Sequence, residues 1–372
     1  MFMNHMSTPY KNILVIRTDR IGDVVLTTPM IALLRKMYPQ SKITILVTPQ
    51  TREIVDGNPY LNEIMIDDRK KLHKGLTGYI KLIQEVKKRT FDLAIVLHTK
   101  KRTTLLCFLA GIPNRIGYKN NKLGFLLTQG IADMRPQGIK HEVQYCLDVL
   151  NYIKKGTGEP TDQSNFAFHP SIKEIRSLSY LKPYVSTKKE SEEWVKREFS
   201  KSEIKESDDV IAIHPGASCI SKRWPVKNFA ELISKIHTKH QVKIILVGGD
   251  DTRAIAEEIS QLTSAPIIDF VGKTNLSQFI SLLKHCRLLI SNDSGPVHLA
   301  GALNVKVLAI FGRNQSGLNP QRWGPLGEDS VVLHKDVGCQ VCLAHRCVIG
   351  FKCLEAITPQ EVLEIFDSLS RL

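Results

Sequence analysis

Apolar positions along the 372-residue chain come as short β-branched runs that alternate with stretches of helical spacing. That alternation is the signature of parallel strands joined by helices. Ile13–Arg17 reads as a strand, Val24–Met37 as a helix opened by a Gly-Asp pair, and Ile43–Val47 as a second strand. Phe91–Leu97 is a further strand, and Leu105–Ala110 begins a helix. From about Lys155 to Asp209 the chain is polar, rich in Lys, Glu and Ser, and aperiodic apart from a helix at Glu190–Phe199. A domain junction is therefore expected near residue 185, giving domains 1–185 and 186–372. The rhythm restarts with strand Val210–His214, helix Val226–His240, strand Lys243–Gly248 and helix Thr252–Leu262. It continues through strand Ile267–Phe270, helix Asn275–His285, strand Leu288–Ser291, helix Pro296–Leu303 and strand Val307–Phe311. A last helix, Pro359–Leu369, is expected to pack back across the junction. The fold class is α/β, with two Rossmann-like domains, each a parallel sheet covered by helices on both faces. Many enzymes pair such domains, so architecture does not select an activity.

Hydrophobic residues at 42% and charged residues at 24% fit a globular chain with sizeable cores. Lys and Arg outnumber Asp and Glu by 51 to 37, a net charge of +14. Such a surplus suits nucleic acid, a phosphate-rich substrate or an acidic membrane surface, or serves only to keep a basic surface soluble. The opening MFMNHMSTPYKN has no apolar signal-peptide core. No later run approaches the roughly 18 apolar residues of a membrane span, so a cytoplasmic protein is expected.

Three segments carry candidate chemistry. In Arg17-Thr-Asp-Arg-Ile-Gly-Asp23, Gly22 allows a tight strand-to-helix turn and Asp23 falls on the helix N-terminus. A carboxylate there can take a proton from a hydroxyl, or simply cap the helix. In His214-Pro-Gly-Ala-Ser-Cys-Ile-Ser-Lys-Arg-Trp-Pro225, Gly216 permits close approach to the backbone. Ser218 offers a hydroxyl, and Lys222 and Arg223 supply positive charge. Those parts can hold a departing diphosphate, although a Lys-Arg pair in a loop is often only solvated. In Ser291-Asn-Asp-Ser-Gly-Pro-Val-His-Leu-Ala-Gly-Ala-Leu303, the amides of Ser294 and Gly295 begin a helix and suit a phosphate. Asp293 can bind sugar hydroxyls, while His298 in the first turn is either a donor-site contact or a structural hydrogen-bonder. An acidic residue of Val247-Gly-Gly-Asp-Asp251 can bind ribose hydroxyls, Asp251 or its neighbour Asp250, or else cap a turn. Arg115, with Lys100, Lys101 and Arg102, makes the first domain basic, as a phosphorylated and carboxylated ligand would need or as any solvated face would be.

The three segments in this order resemble the ADP-heptose:lipopolysaccharide heptosyltransferases. The resemblance is carried by Ile16-Arg-Thr-Asp-Arg-Ile-Gly-Asp-Val-Val-Leu-Thr-Thr-Pro29, by His214-Pro-Gly-Ala with Lys222-Arg-Trp-Pro225, and by Asp293-Ser-Gly-x-x-His-Leu-Ala300. It implies the GT-B arrangement, two Rossmann-like domains facing a central cleft, with the nucleotide sugar bound mainly by the second domain and the acceptor mainly by the first. In that family the residue matching Asp23 is the proposed general base, and the one matching Lys222 contacts the diphosphate. The residue matching Asp293 contacts the heptose, and those matching Ser294 and Gly295 hold phosphate. By the same resemblance the donor is ADP-heptose and the acceptor a lipopolysaccharide core of Kdo or heptose on lipid A. Arg20, Lys101 and Arg115 are its expected acceptor contacts, and the protein is expected to meet the inner face of the inner membrane transiently. The displacement is direct and inverting, with no required cofactor or metal. Asn292-Asp-Ser-Gly295 looks more like the enzymes that add the second heptose than the first.

Cys339, Cys342, Cys347 and Cys353 crowd together near the end of the chain, with His345 among them. Four thiolates can form a structural zinc site, although only one Cys-x-x-Cys pair is present, and reduced or redox-labile thiols are the other reading. Two rivals to the heptosyltransferase remain at this level. One is a related transferase with another nucleotide sugar or acceptor. The other is a non-catalytic phosphate or nucleic-acid binder, which a scattered charge and the acidic Asp23 and Asp293 disfavour.

Overall fold

A computed structural model of the chain describes residues 10–153 and 169–370. The start of the chain and the beginning of the polar stretch read from about Lys155 lie outside them. Two compact units emerge: residues up to Arg135 with Glu142–Tyr184, and Pro136–His141 with Val185–Leu372. The six residues 136–141, expected in the first domain, thus group with the second. Their carbonyls and His141 are taken up there: the Ser316 hydroxyl donates to Pro136 O at 2.9 Å, Asn319 Nδ2 to Gly138 O at 3.2 Å, and His141 Nε2 lies 2.8 Å from Gly324 O.

The first unit holds strands β1 (Asn12–Ile16), β2 (Lys42–Val47), β3 (Glu63–Ile66), β4 (Leu93–Val96), β5 (Asn114–Tyr118) and β6 (Gln129–Ile131). All are parallel, in the order β3-β2-β1-β4-β5-β6. Its main helices are α1 (Ile21–Val25), α2 (Thr28–Met37), α3 (Gly75–Lys87), α4 (Lys101–Leu109) and α5 (Glu142–Asp148). One helix was expected over 24–37, but the observed helix breaks at Leu26–Thr27. Pro29 has no N–H to return to Val25, and the Thr28 hydroxyl takes that carbonyl instead, at 2.7 Å. The sheet is apolar on both faces: Leu14, Ile16, Leu46, Ala94 and Val96 pack against Leu82, Val86 and Leu106 on one, and Ile13, Val15, Ile45 and Ile95 are buried on the other.

The second unit repeats the plan with β7 (Val210–His214), β8 (Lys243–Leu246), β9 (Ile268–Asp269), β10 (Leu288–Asn292), β11 (Lys306–Phe311) and β12 (Ser330–His334). These are also parallel, in the order β12-β11-β10-β7-β8-β9. Its main helices are α6 (Lys189–Lys201), α7 (Val226–Lys239), α8 (Arg253–Leu262), α9 (Leu276–Lys284), α10 (Gly295–Ala302) and α11 (Pro359–Ser370). Trp224 meets Phe229 edge-on at 4.8 Å in a core that also holds Ile213, Ile290, Ile310 and Phe366. The terminal helix α11, expected to cross the junction, packs on α7 within this unit.

Each sheet reverses its order at one point, between β1 and β4 and between β7 and β10. The crevice at the carboxyl end of such a switch point is where open α/β sheets bind ligands.

Candidate active site

In the first unit the chain leaves β1 through Arg17–Arg20 and enters α1 beside the β1/β4 switch point. The N-cap of α1 is Arg20, and no side chain caps it, so Asp23 in the first turn is not the cap. It is held instead by Arg17, a side chain only 2% exposed. Arg17 Nη2 donates to Asp23 Oδ1 at 2.5 Å and to Glu142 Oε1 of α5 at 2.7 Å, and Nη1 donates to Leu97 O at 2.9 Å. Its Nε lies 3.3 Å from Asp19 Oδ2. One guanidinium therefore serves three carboxylates. Burial pushes the Asp23 carboxyl above its ordinary range, the Arg17 charge opposes this, and the charges of Asp19 and Glu142 add to it. Burial would raise Asp19 too, but Arg17 and Lys100 hold it down at about 2. Lys100 Nζ sits 2.5 Å from its Oδ1. Burial keeps His98 neutral, down at about 3, with Nε2 at 3.0 Å from the Thr18 hydroxyl.

Arg20 is exposed at the start of α1, and Lys101 is exposed at the start of α4, both on the carboxyl side of the sheet. Arg115 is not brought to them. It pairs in register with Ala94, and Ala94 with Leu14, two residues back from the carboxyl ends of β4 and β1. Its guanidinium is spent on the carbonyls of Ile112, Pro113 and Leu126. Arg115, expected with Arg20 and Lys101 as an acceptor contact, thus stands nearer the start of its strand with its guanidinium turned to those carbonyls.

In the second unit the loops after β7, β10 and β11 converge on Asp293, a side chain 5% exposed. Lys222 Nζ lies 3.1 Å from Asp293 Oδ2 and donates to Asp293 O at 3.0 Å. Arg313 Nη2 reaches the same Oδ2 at 2.7 Å. Burial pushes the Lys222 amine below its ordinary range, Asp293 opposes this and Arg313 adds to it. Ser294 is the N-cap of α10, yet its hydroxyl does not cap the helix: it lies 3.2 Å from His214 Nδ1 and 3.1 Å from Ser291 Oγ. The N-terminal amides at Ser294 and Gly295 thus open beside two cations, a setting for a phosphate. Gly216 has no room for a side chain, since a Cβ would sit 2.3 Å from Thr252 Oγ1. Ser218 is exposed on the same loop. Of the two carboxylates after β8, Asp250 lies against Gly272, whereas Asp251 is near enough to oppose the burial that holds His214 down at about 4. His298 is buried, with its ring tilted against Trp323 at 6.4 Å.

A model of glycosyltransferase family 9 (heptosyltransferase) matches residues 79–352, nearly three-quarters of the chain. The chain belongs to that family. Like its relatives it is a glycosyltransferase. It is 26% identical to lipooligosaccharide heptosyltransferase 2 of Haemophilus ducreyi, over 96% of this chain and 99% of that one. Its fold is that of the family 9 glycosyltransferase of Veillonella parvula, with a TM-score of 0.81, 24% identity and coverage of 98% and 99%. The Escherichia coli ADP-heptose lipopolysaccharide heptosyltransferase II follows with a TM-score of 0.73, 23% identity and coverage of 96% and 98%. The α/β GT-B fold expected from the motifs is the observed one.

Three residues of this glycosyltransferase's candidate site had no role in the sequence reading. Arg17 was visible as part of its motif, but nothing in the motif says it is buried. Arg313 had a local signal, a Gly-Arg pair at the carboxyl end of a strand. Glu142 had none, since it joins Arg17 across 125 positions. The four clustered cysteines line one cavity of about 320 Å³ with Ser221, Gly312 and Arg313. The Cys353 thiol donates to Gly312 O at 2.9 Å. Among the described residues no three His, Cys, Asp or Glu side chains are gathered to hold a metal ion.

Proposed function

We propose that this glycosyltransferase moves the heptose of ADP-L-glycero-D-manno-heptose onto the inner core of lipopolysaccharide with inversion at the anomeric carbon. The observation that carries the reading is the pair of buried cations, Lys222 and Arg313, on the Asp293 carboxylate at the start of α10. Those groups suit a sugar diphosphate: Asp293 for sugar hydroxyls, Lys222 and the amides at Ser294 and Gly295 for the phosphates, and Asp251 for the ribose. Ser218 and His298 complete the donor contacts of this reading. Asp23 takes the proton of the acceptor hydroxyl while that oxygen attacks the anomeric carbon. The bond from that carbon to the phosphate oxygen breaks, and ADP leaves as the anion that Lys222 and the helix amides stabilise. Arg17 fixes the direction of the Asp23 carboxylate, and burial leaves it basic enough to accept the proton. On this reading Arg20 and Lys101, both exposed at helix starts, meet the charges of the acceptor. The Asn292-Asp-Ser-Gly295 turn favours addition of the second heptose.

The reading is tested by following ADP release from ADP-heptose with a Kdo-terminated core and with a heptose-terminated core. Release that requires an acceptor, and is faster with the heptose-terminated one, is the expected outcome. Absence of release with both acceptors would move the donor to another nucleotide sugar.

A further inference from the structure

The net charge is not scattered, as it first reads. Residues 69–125 contain fourteen Lys and Arg against only Glu85 and Asp92, and while Arg69, Arg89, Lys100 and Arg102 are paired with Asp67, Glu63 and Asp19 outside the stretch, the other ten have no carboxylate of their own there except those two. These residues build the approach to α3, then α3, β4, α4, β5 and the 3-10 turn Gly124–Leu126. The helices and the turn are joined edge to edge. Tyr79 OH of α3 donates to Arg102 O of α4 at 2.6 Å, and the Arg102 guanidinium stacks 4.3 Å over the Tyr79 ring. Arg115 stacks 5.6 Å over the Phe108 ring of α4 and donates to Leu126 O of the turn at 2.7 Å.

Large apolar side chains stand out of this same region into solvent. Leu76 is 74% exposed, Phe125 78% and Leu72 51%, with Ile80, Phe108 and Leu109 close to half exposed. Leu76 and Ile80 are one turn apart on α3, Lys87 continues their stripe, and Lys74 and Lys81 flank it. Lys70, Lys71, Lys74, Lys81, Lys119 and Lys122 are all exposed. Apolar side chains set among six exposed lysines, with Asp68 and Glu85 the carboxylates beside them, match an anionic lipid surface, whose headgroup boundary takes the apolar groups and whose phosphates take the ammonium groups. A second copy meeting this face would bring the same positive charge against it. A nucleic-acid backbone would use the lysines but leave Leu72, Leu76 and Ile80 in water.

We propose that α3, α4 and the Gly124–Leu126 turn form the face by which the protein docks on an anionic phospholipid bilayer. The docking needs neither the donor nor Asp23, so it stands or falls apart from the transfer reaction.

The full chain is sedimented with vesicles of phosphatidylcholine alone or of phosphatidylcholine with phosphatidylglycerol. Binding is expected only to the anionic vesicles, and to weaken as salt rises. A Leu76→Ser, Ile80→Ser, Phe125→Ser variant and a Lys71→Gln, Lys74→Gln, Lys81→Gln variant should each bind about tenfold more weakly or worse. All six positions are exposed, so both variants should fold, which their unchanged ADP affinity would verify. Wild-type protein that stays in the supernatant with anionic vesicles at low salt would overturn the proposal. So would variants that bind as the wild type does. Self-association removed by the same serines, without vesicle binding, would overturn it in favour of a second copy. Vesicle binding in the expected pattern supports the docking face even if ADP release fails, an outcome that counts against the donor assignment alone.

Discussion

Arg17 and Glu142 are 125 positions apart, yet a 2.7 Å contact between them decides how Asp23 is presented. Glu142 is fully buried on α5, so it anchors the guanidinium from below while Asp23 remains partly exposed above it. Asp23 must be ionised to accept a proton, and transfer should fail as the pH falls through its raised pKa. The Glu142 charge is one of the causes of that rise, so Glu142→Gln should lower it. The acid limb of kcat/KM is expected to move to lower pH in this variant, with ADP affinity changed by less than about twofold. A pH profile that does not move would show that Glu142 is only part of the packing. Asp23, Lys222 and Asp293 were legible because each stands in a local motif after a strand. Glu142 was not, because a buried ion pair between distant elements leaves no mark on either element's own periodicity.

Strands at the centre of each sheet were legible for a physical reason. They are buried on both faces, so β1, β2, β7, β10 and β11 read as predominantly apolar runs. The edge strands β3, β6, β9 and β12 are short or half-buried, and of these only β9 was read. The helix α3 was passed over as well, because its exposed face carries Leu76 and Ile80 and so breaks the apolar–polar alternation. Among the loop elements, the one between β7 and α7 is tied to the rest by Trp224, which is 1% exposed. Its Nε1 donates to Ile357 O at 2.9 Å, and its backbone N–H to Asn292 Oδ1 at 3.0 Å. Trp224→Phe keeps the ring packing but removes the indole donor. It should cost about 1–3 kcal/mol and lower the melting temperature by several degrees. An unchanged melting temperature would mean that the loop is held by its backbone contacts alone.

Two histidines at the carboxyl ends of the sheets link the stability of the whole molecule to pH. Burial keeps His98 down at about 3 and His214 at about 4, whereas an unfolded histidine titrates near 6.5. Below about pH 6.5 the unfolded chain takes up protons that the folded one refuses, so stability is full above that value and falls as pH drops toward 4. In His214→Asn the slope of unfolding free energy against pH between 6 and 4.5 should be shallower by up to about 1.4 kcal/mol per pH unit. Urea titrations at three pH values would reveal it, and an unaltered slope would mean that His214 is already charged in the folded state. No described helix is long and apolar enough to cross a membrane.

Heptosyl transfer with Asp23 as the base is tested most directly by the rate of ADP release at saturating ADP-heptose and acceptor, in the wild type and in Asp23→Ala. A fall of about a thousandfold with ADP affinity intact is expected, since removing a positioned base typically costs a hundred- to ten-thousandfold. A variant that releases ADP within about tenfold of the wild type would contradict both the role of Asp23 and the direct displacement built on it.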